Sequence, residues 1–345
     1  MTEIVQNILY ITKPGLYLHK ENETVKVAEE KQTILTVPLH HLQGITFLSR
    51  GSISSYLLDK CLNQGISVTY LTERGRFLAR LEGASSGNVI VRMEQFRKAL
   101  DERERLAIAR RIVAGKIQNA RLNLLRTARD RKNDDDVDGA KIRSIAEALA
   151  DRLIRTAEAT TLAELRGHEG EAARLYFSVF DLCIIKQKDA FAFDRRSRRP
   201  PRSRLNALLS FTYSMLTNDC VSACQAAGLD PYVGFLHDAR SGRPSLALDL
   251  VEEFRAFADR FVLTLINRQQ IQAEDIEVKT GNVYRMTDSA RKRFLDAYQK
   301  RKQDELVHPL LGYQCRVADL PLLQARLLAR NIRGDIDEYT PFLWR

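Results

Sequence analysis

Polar and apolar positions alternate in short bursts along the first 82 residues. Ile8–Thr12, Leu16–Lys20, Thr24–Ala28, Thr33–Val37, Ile45–Leu48, Val68–Leu71 and Phe77–Leu81 are rich in β-branched and aromatic residues. Turn formers such as Pro14-Gly15, Glu21-Asn22 and Arg74-Gly75 separate them, and the pattern predicts strands. Ser52–Gln64 breaks it. There Ile53, Tyr56, Leu57 and Leu62 recur at helical spacing, with Ser52 as the expected cap and Gly65 as the stop. The small-residue run Gly83-Ala-Ser-Ser-Gly87 predicts a linker over 83–88, closing a first domain at residue 82.

Beyond it the period becomes helical. Val89–Arg131 reads as one long or twice-broken helix with Leu106, Ile112, Val113, Ile117, Leu124 and Leu125 inward. Further helices are predicted at Ile142–Ala157, Leu162–Ile185, Arg204–Ala227, Ser245–Arg268, Asp288–Asp304 and Pro321–Asn331. The fold class is therefore α+β, a β domain over 1–82 followed by an all-α domain over 89–333. The tail 334–345 carries Tyr339, Phe342 and Trp344, which predict docking on a partner or dimer surface, since they would otherwise be exposed. No repeat at solenoid periods is visible.

Composition narrows the class. The length of 345 residues suits two domains, and 44% apolar content excludes wholesale disorder. No apolar run approaches the ~18 residues of a membrane span. The opening Met-Thr-Glu-Ile-Val-Gln-Asn lacks a signal core, and five scattered cysteines suit a reduced cytoplasmic setting. The net charge of +10 is concentrated. Arg97–Lys132 holds twelve basic against four acidic residues, Ala192–Arg204 six against one, and Arg285–Lys302 seven against two. One such tract is commonly a solvated face; three together point to a polyanion such as nucleic acid.

Several motifs fail on inspection. Asp134-x-Asp136-x-Asp138-Gly139 opens like a calcium loop, but Ile145 stands where the closing Glu belongs. Gly115-Lys116 lacks the flanking residues of a phosphate-binding loop. Cys220 and Cys224 have no second cysteine pair for zinc and read as buried structural thiols. No Gly-x-Ser-x-Gly nucleophile turn is present.

One constellation survives. Glu169 falls on the apolar stripe of Leu162, Leu165, Ala172, Tyr176 and Val179, where an unpaired carboxylate would cost several kcal/mol or stay protonated. A bound cation or a partner arginine would each account for it, whereas Glu171 reads as solvated. His237 follows the apolar Gly234-Phe-Leu and, taken alone, fits a satisfied core histidine. Asp249, Glu252 and Glu253 crowd one edge of the next helix near its N-terminal end, where helix-dipole complementarity is the plainer reading. Together, one imidazole and several chain-distant carboxylates suit Mg2+ or Mn2+ better than zinc.

Five boxes then carry a family resemblance. These are Gly115-Lys-Ile-Gln-Asn119 with Leu-Leu-Arg126, Arg166-Gly-His-Glu169-Gly-Glu-Ala-Ala173 with Tyr176-Phe177, Arg199-Pro-Pro201 with Asn206-Ala-Leu-Leu-Ser210 and Tyr213, Gly228-Leu-Asp-Pro231 with Gly234-Phe-Leu-His237, and Gly242-Arg-Pro-Ser-Leu-Ala-Leu-Asp249 with Glu252-Glu-Phe254. In order and spacing they resemble the CRISPR-associated spacer integrase, the universal adaptation nuclease, over essentially the whole chain. The tail Tyr339-x-Pro-Phe-Leu-Trp344 resembles the branch of type I-C loci. The resemblance implies an N-terminal β-sandwich, a helical catalytic domain, a homodimer fixed through the β domains, and a small ferredoxin-like partner with which it captures short DNA, double-stranded and partly single-stranded. It implies Glu169, His237 and Glu252 as ligands of Mg2+ or Mn2+, with Asp249 as an auxiliary catalytic acid. One departure is Ser203, where relatives often carry Asp.

The implied reaction is a transesterification, in which a 3′-hydroxyl of captured DNA attacks a phosphodiester at the edge of a repeat. No nucleotide hydrolysis is needed, in keeping with the missing phosphate-binding loop. Arg243, between His237 and the acidic helix, is the candidate for holding the target phosphate. Lys116, Arg121, Arg195, Arg196, Arg198 and Arg199 are candidates for tracking the DNA backbone. A hydrolytic structure-specific nuclease and a non-catalytic DNA scaffold are the alternatives; a buried, ionised Glu169 argues against the scaffold.

Overall fold

The computed structural model describes residues 7–73, 75–82, 89–131, 136–197 and 200–344. The predicted linker 83–88, Arg198 and Arg199 lie outside the described residues. The chain forms two compact units, residues 1–86 with 295–303, and residues 87–294 with 304–345. The second stretch of the first unit is a short helical segment that the sequence pattern assigned to the helical domain.

In the first unit, eight strands form two four-stranded sheets: β1 (Asn7–Ile11), β2 (Tyr17–Glu21), β3 (Thr24–Glu29), β4 (Gln32–Pro38), β5 (Leu42–Phe47), β6 (Ser52–Ile53), β7 (Ser67–Leu71) and β8 (Phe77–Leu81). One sheet runs β1-β5-β7-β8 and the other β4-β3-β2-β6. Alternation puts Leu18, Val25 and Val27 of one sheet and Ile11, Ile45, Phe47 and Val68 of the other into a single core. Helix α1 (Ser55–Asn63) adds Leu57 and Cys61 to it. The helix starts later than its periodicity predicts. Ser52 and Ile53 pair with Tyr17 and Leu18 of β2, so the cap is Ser54, which accepts the Leu57 N–H. Gly65 ends the helix at φ 69°.

The second unit is largely helical: α2 (Val89–Leu100), α3 (Glu102–Asp130), α4 (Val137–Glu158), α5 (Leu162–Ser178), α6 (Arg204–Ala226), α7 (Ser245–Asn267), α8 (Asp288–Lys302, whose last turns belong to the first unit) and α9 (Leu320–Arg333). The long stretch after Val89 breaks once. Asp101 accepts the N–H groups of Arg103 and Glu104 and so caps a new helix, α3. Helix α5 stops at Ser178, short of the predicted Ile185, and passes into a 3-10 turn over Asp181–Cys183. Ser203, at the departure from the family pattern, caps α6 by accepting the Asn206 N–H at 3.1 Å. Helix α7 lies between α3 and α6, and Leu250, Phe254, Phe257, Phe261 and Leu265 are buried as their spacing predicts. The unit is not wholly α. Two hairpins, β9 (Ile276–Lys279) with β10 (Val283–Met286) and β11 (Glu305–Val307) with β12 (Gln314–Arg316), use strands too short to leave a readable period.

The aromatic tail corrects the sequence-based expectation most clearly. It packs on its own chain. Tyr339 and Phe342 are buried, Trp344 stacks on Phe257, and Phe342 stacks on Phe254. A Cβ on Gly115 would come within 2.5 Å of Pro341, so only glycine lets the tail lie this close to α3. Asn119 donates to the Phe342 carbonyl and accepts the Trp344 N–H. The five cysteines are all buried. Of the rejected calcium loop, Asp136 and Asp138 pair with Arg131.

Candidate active site

The site is assembled from three helices and one loop of the second unit. The loop over 234–238 is fixed from two sides. From α7, the wholly buried Asp249 accepts the backbone N–H groups of Phe235, Leu236 and His237 at 2.6, 3.0 and 3.0 Å. From α3 and α5, Arg105 donates to the Phe235 carbonyl and Arg166 to the Leu236 carbonyl, and both reach Asp238 Oδ1 at 2.6 Å. These two guanidinium groups hold the Asp238 carboxyl down to about 2. Gly234 is required by close approach, since a Cβ there would lie 2.8 Å from both Asp249 Oδ2 and the Ser245 backbone.

Asp249 Oδ1 also lies 2.7 Å from His237 Nδ1. A carboxylate can only accept, so Nδ1 donates its proton to Asp249 and Nε2 is the ring nitrogen turned to the site, 4.0 Å from Glu252 Oε1. Both oxygens of Asp249 are thus engaged behind His237, and its role in the geometry is to orient that ring.

Glu252, one turn further along α7, is 3% exposed. Its Oε2 lies 2.7 Å from Arg255 Nε and 2.7 Å from Lys116 Nζ. Burial opposes its charge, yet Arg255, Lys116 and His237 together hold the carboxyl well below the usual range. Arg255 in turn rests on the Tyr213 ring, with Arg196 on the same ring, 4.9 and 5.2 Å from its centroid. Tyr213 donates to Asp259, whose carboxyl burial pushes up to about 6.

Glu169 on α5 completes the cluster by pairing with the same Lys116 ammonium. Its side chain is 25% exposed, so the expectation of a carboxylate deep in the apolar stripe is corrected. Leu165, Ala172, Tyr176 and Val179 of the stripe are buried, but Glu169 sits at its edge, and its partner is a lysine, close to the bland alternative of an arginine. Its position therefore no longer argues against a scaffold by burial alone.

The other predicted contacts disperse. Arg196 is turned inward, donating to Asn206 Oδ1 at 2.8 Å and Ser210 Oγ at 3.1 Å. Arg195 is exposed beside Asp194. Arg121 is half-buried on α3, and Arg243 is half-buried in the loop over 238–243, where its N–H bonds the Arg240 carbonyl. Within the first basic tract, Arg105 clamps the His237 loop, Arg110 binds the Ala159 carbonyl and Arg111 pairs with Glu338. Arg255 was missed by sequence reasoning although Glu252 and Arg255 stand at i, i+3; Arg105 and Arg166 were not readable, since their partners lie at least 70 residues away.

Two carboxylates and an imidazole nitrogen, with a third carboxylate behind the ring, are hard-to-borderline donors whose chemistry fits Mg2+ or Mn2+. As the side chains lie, no group of three His, Cys, Asp or Glu among the described residues is placed to hold an ion, and the Lys116 ammonium stands between Glu169 and Glu252.

Fold and site define a class: a two-sheet β domain ahead of a helical domain with a Glu–His–Glu cluster drawn from α5, a loop and α7. The chain belongs to the CRISPR associated protein Cas1 family, matching it over residues 9–300. It is 48% identical over 340 residues to "CRISPR-associated endonuclease Cas1 1" of Chlorobaculum tepidum, covering 98% of each chain. Its fold is similar to a casposase bound to integration product (TM-score 0.82, 20% identity, covering 97% of this chain and 92% of that one). It is also similar to part of a Cas6-RT-Cas1–Cas2 complex (TM-score 0.81, 21% identity, covering 100% of this chain and 36% of that one). None of these three descriptions names a type I-C branch. No helix among the described residues is long and apolar enough to cross a membrane.

Proposed function

We propose that this chain is a DNA endonuclease and integrase of CRISPR adaptation, joining 3′-hydroxyl ends of captured short DNA to an array repeat. The observation that carries this reading is the convergence of Glu169, Glu252 and the oriented His237 beside Lys116 in one partly open site. The family membership and the relative named an endonuclease support it, as does the fold shared with a casposase bound to integration product.

In the reaction, the attacking 3′-oxygen forms a new bond to phosphorus while the bond to the departing 3′-oxygen of the target strand breaks. Phosphodiester number is unchanged. Glu169, Glu252 and His237 Nε2 would hold Mg2+ or Mn2+. Such an ion, when bound, lowers the pKa of an attacking hydroxyl and neutralises charge on the phosphate. The chain's own residues set the stage. Asp249 engages His237 Nδ1, so Nε2 is the nitrogen that would face an ion. Arg105 and Arg166 hold the loop that carries His237. Arg255 keeps Glu252 ionised, and Arg243, in the loop between His237 and α7, is the candidate for holding the target phosphate. Arg195 and Arg121 are kept as backbone contacts; Arg196 supports Tyr213 instead.

Partners follow from the same reading. They are double-stranded and partly single-stranded DNA, a second copy of the chain as a homodimer, and a small ferredoxin-like adaptation protein, with the fold shared by part of a Cas1–Cas2 complex in support. The setting is the cytoplasm. The type I-C assignment rests on the tail alone, and the tail serves here as core of its own chain.

The test is a joining assay on supercoiled DNA carrying a leader and repeat, with Mg2+ or Mn2+, using wild type and Glu169→Ala. Wild type joins, and Glu169→Ala binds duplex DNA yet joins none. Joining by Glu169→Ala with Mn2+ would overturn its ligand role. The name endonuclease favours one second reading, hydrolysis by water. Substrates with a blocked 3′ end separate the two, because hydrolysis continues and joining stops.

A further inference from the structure

Lys116 belongs to a basic tract, and a free ammonium there would track DNA. The structure places it differently. Its Nζ pairs with Glu169 of α5 and lies 2.7 Å from Glu252 of α7, and its side chain is 15% exposed. Two carboxylates brought together from separate helices repel one another, and the ammonium between them offsets that repulsion. Arg255 also contacts Glu252 and is no more exposed than Lys116, but it is seated on the Tyr213 ring. Lysine presents a compact charge on a flexible four-carbon stem, whereas a stacked guanidinium is held in place. Of the two cations, Lys116 is the one able to leave.

We propose that Lys116 is the resident counter-cation of this site, holding Glu169 and Glu252 together until a divalent cation exchanges with it. The inference rests on the proposed reading in which those carboxylates take Mg2+ or Mn2+. An ammonium and a divalent ion carry like charge and compete for the same two carboxylates, so binding of one favours withdrawal of the other. The protein thereby keeps the site assembled without an ion, at the expense of ion affinity. When the ion enters, Arg255 still balances Glu252 from behind, and the released Lys116 turns toward the open side of the site.

The experiment uses the full chain without DNA. Mn2+ binding is followed by loss of the free Mn2+ electron paramagnetic resonance signal for wild type, Lys116→Gln and Lys116→Arg, with unfolding temperatures taken with and without ion. Lys116→Gln should bind Mn2+ roughly tenfold tighter, the order of effect expected from removing one neighbouring unit charge. Its ion-free form should unfold at a lower temperature than wild type. Lys116→Arg keeps the charge and should stay within about threefold of wild type. Equal or weaker binding by Lys116→Gln, with wild type binding normally, overturns the exchange while leaving the ion reading intact. Wild type that binds no Mn2+ overturns both. A measurement on wild type alone guards against a variant that does not fold. Amine-reactive labelling of Lys116, read by peptide mass spectrometry, should rise when Mn2+ is added, and a fall or no change overturns the proposal.

Discussion

Glu252 and Glu253 are neighbours on one helix, both buried, and their surroundings are opposite. Glu252 faces Lys116, Arg255 and His237, and these hold it ionised against its burial. Glu253 points the other way, toward the tail. It accepts hydrogen bonds from the Tyr339 hydroxyl, the Phe342 N–H and Gln324 Nε2, none of them a full charge, and burial pushes its carboxyl up to about 7. Helix α3 repeats the division, with Lys116 on the site side and Gly115 and Asn119 receiving the tail. One residue step along a helix turns a side chain by about 100°. That rotation separates a chemical face from a structural one. Burial alone does not set the state of a carboxylate; the charge of its partners does.

The largest expected effect breaks this pair apart. Glu252→Ala leaves Lys116 and Arg255 with one carboxylate fewer, and joining should fall roughly a hundredfold or more while duplex binding persists. Glu253→Ala should instead lower unfolding temperature and leave the folded fraction active. Joining assays normalised to folded protein decide it. If both variants lose joining equally, the two faces are not distinct.

The tail tests the structural face directly. Phe342 is 2% exposed and packs against Phe254, His308 and Trp344. Phe342→Ala should cost about 3–5 kcal/mol, seen as a drop in denaturant midpoint. Its elution on gel filtration at a fixed concentration should match wild type. A change of assembly state without loss of stability would restore the partner-docking role that the bare sequence suggests.

What the sequence made legible follows the same division. Strands of five to seven residues and helices of three or more turns carry enough periods to be read, and the core stripe of α7 needed nothing beyond its spacing. The two hairpins after α7 have strands of three or four residues and left no signal. The candidate site was visible through residue type and resemblance, since His237, Asp249 and Glu252 are near in sequence. Its neutralising partners were not. Lys116 lies 53 residues from Glu169 and 136 from Glu252, and no periodicity reports a contact across such separations. The tail was misassigned for a related reason. Aromatic residues beyond the last helix predict burial, but only the fold shows that Gly115, Asn119 and Glu253 have prepared the place.

A third, smaller effect concerns pH. Asp259, two turns beyond Glu252, has a carboxyl raised by burial from 3.8 to about 6 despite the Tyr213 hydroxyl and the nearby Arg255. An acid whose folded value is raised stabilises the fold fully below its unfolded value. That contribution is lost as pH rises through the folded value. Between pH 4 and 7 the wild type should therefore lose on the order of 2–3 kcal/mol from this group. Asp259→Asn should remove that slope, and the stability difference between the two proteins should shift by this amount across the window. A constant difference would mean that Asp259 is ionised in the fold and belongs with Glu252.

The finest test replaces charge with its neutral counterpart at the two consecutive positions. Glu253→Gln keeps one oxygen, which in place of Oε2 still accepts from the Phe342 N–H and Gln324 Nε2, and sets an amide nitrogen beside the Tyr339 hydroxyl oxygen; a group already pushed toward neutrality loses little by becoming an amide. The Gln324 Nε2 and Phe342 N–H contacts, both at 2.9 Å, turn unfavourable only if the new amide nitrogen takes the place of Oε2. Stability at pH 7 should change by about 1 kcal/mol or less, within the range of one ordinary hydrogen bond. Glu252→Gln is nearly the same change in shape, but it removes the charge that balances Arg255 and Lys116 inside the protein, so its cost should approach that of a broken buried pair, about 3 kcal/mol. Urea unfolding of the two variants side by side measures the difference between the faces without reference to activity. Equal losses would show that shape, not charge, governs both positions.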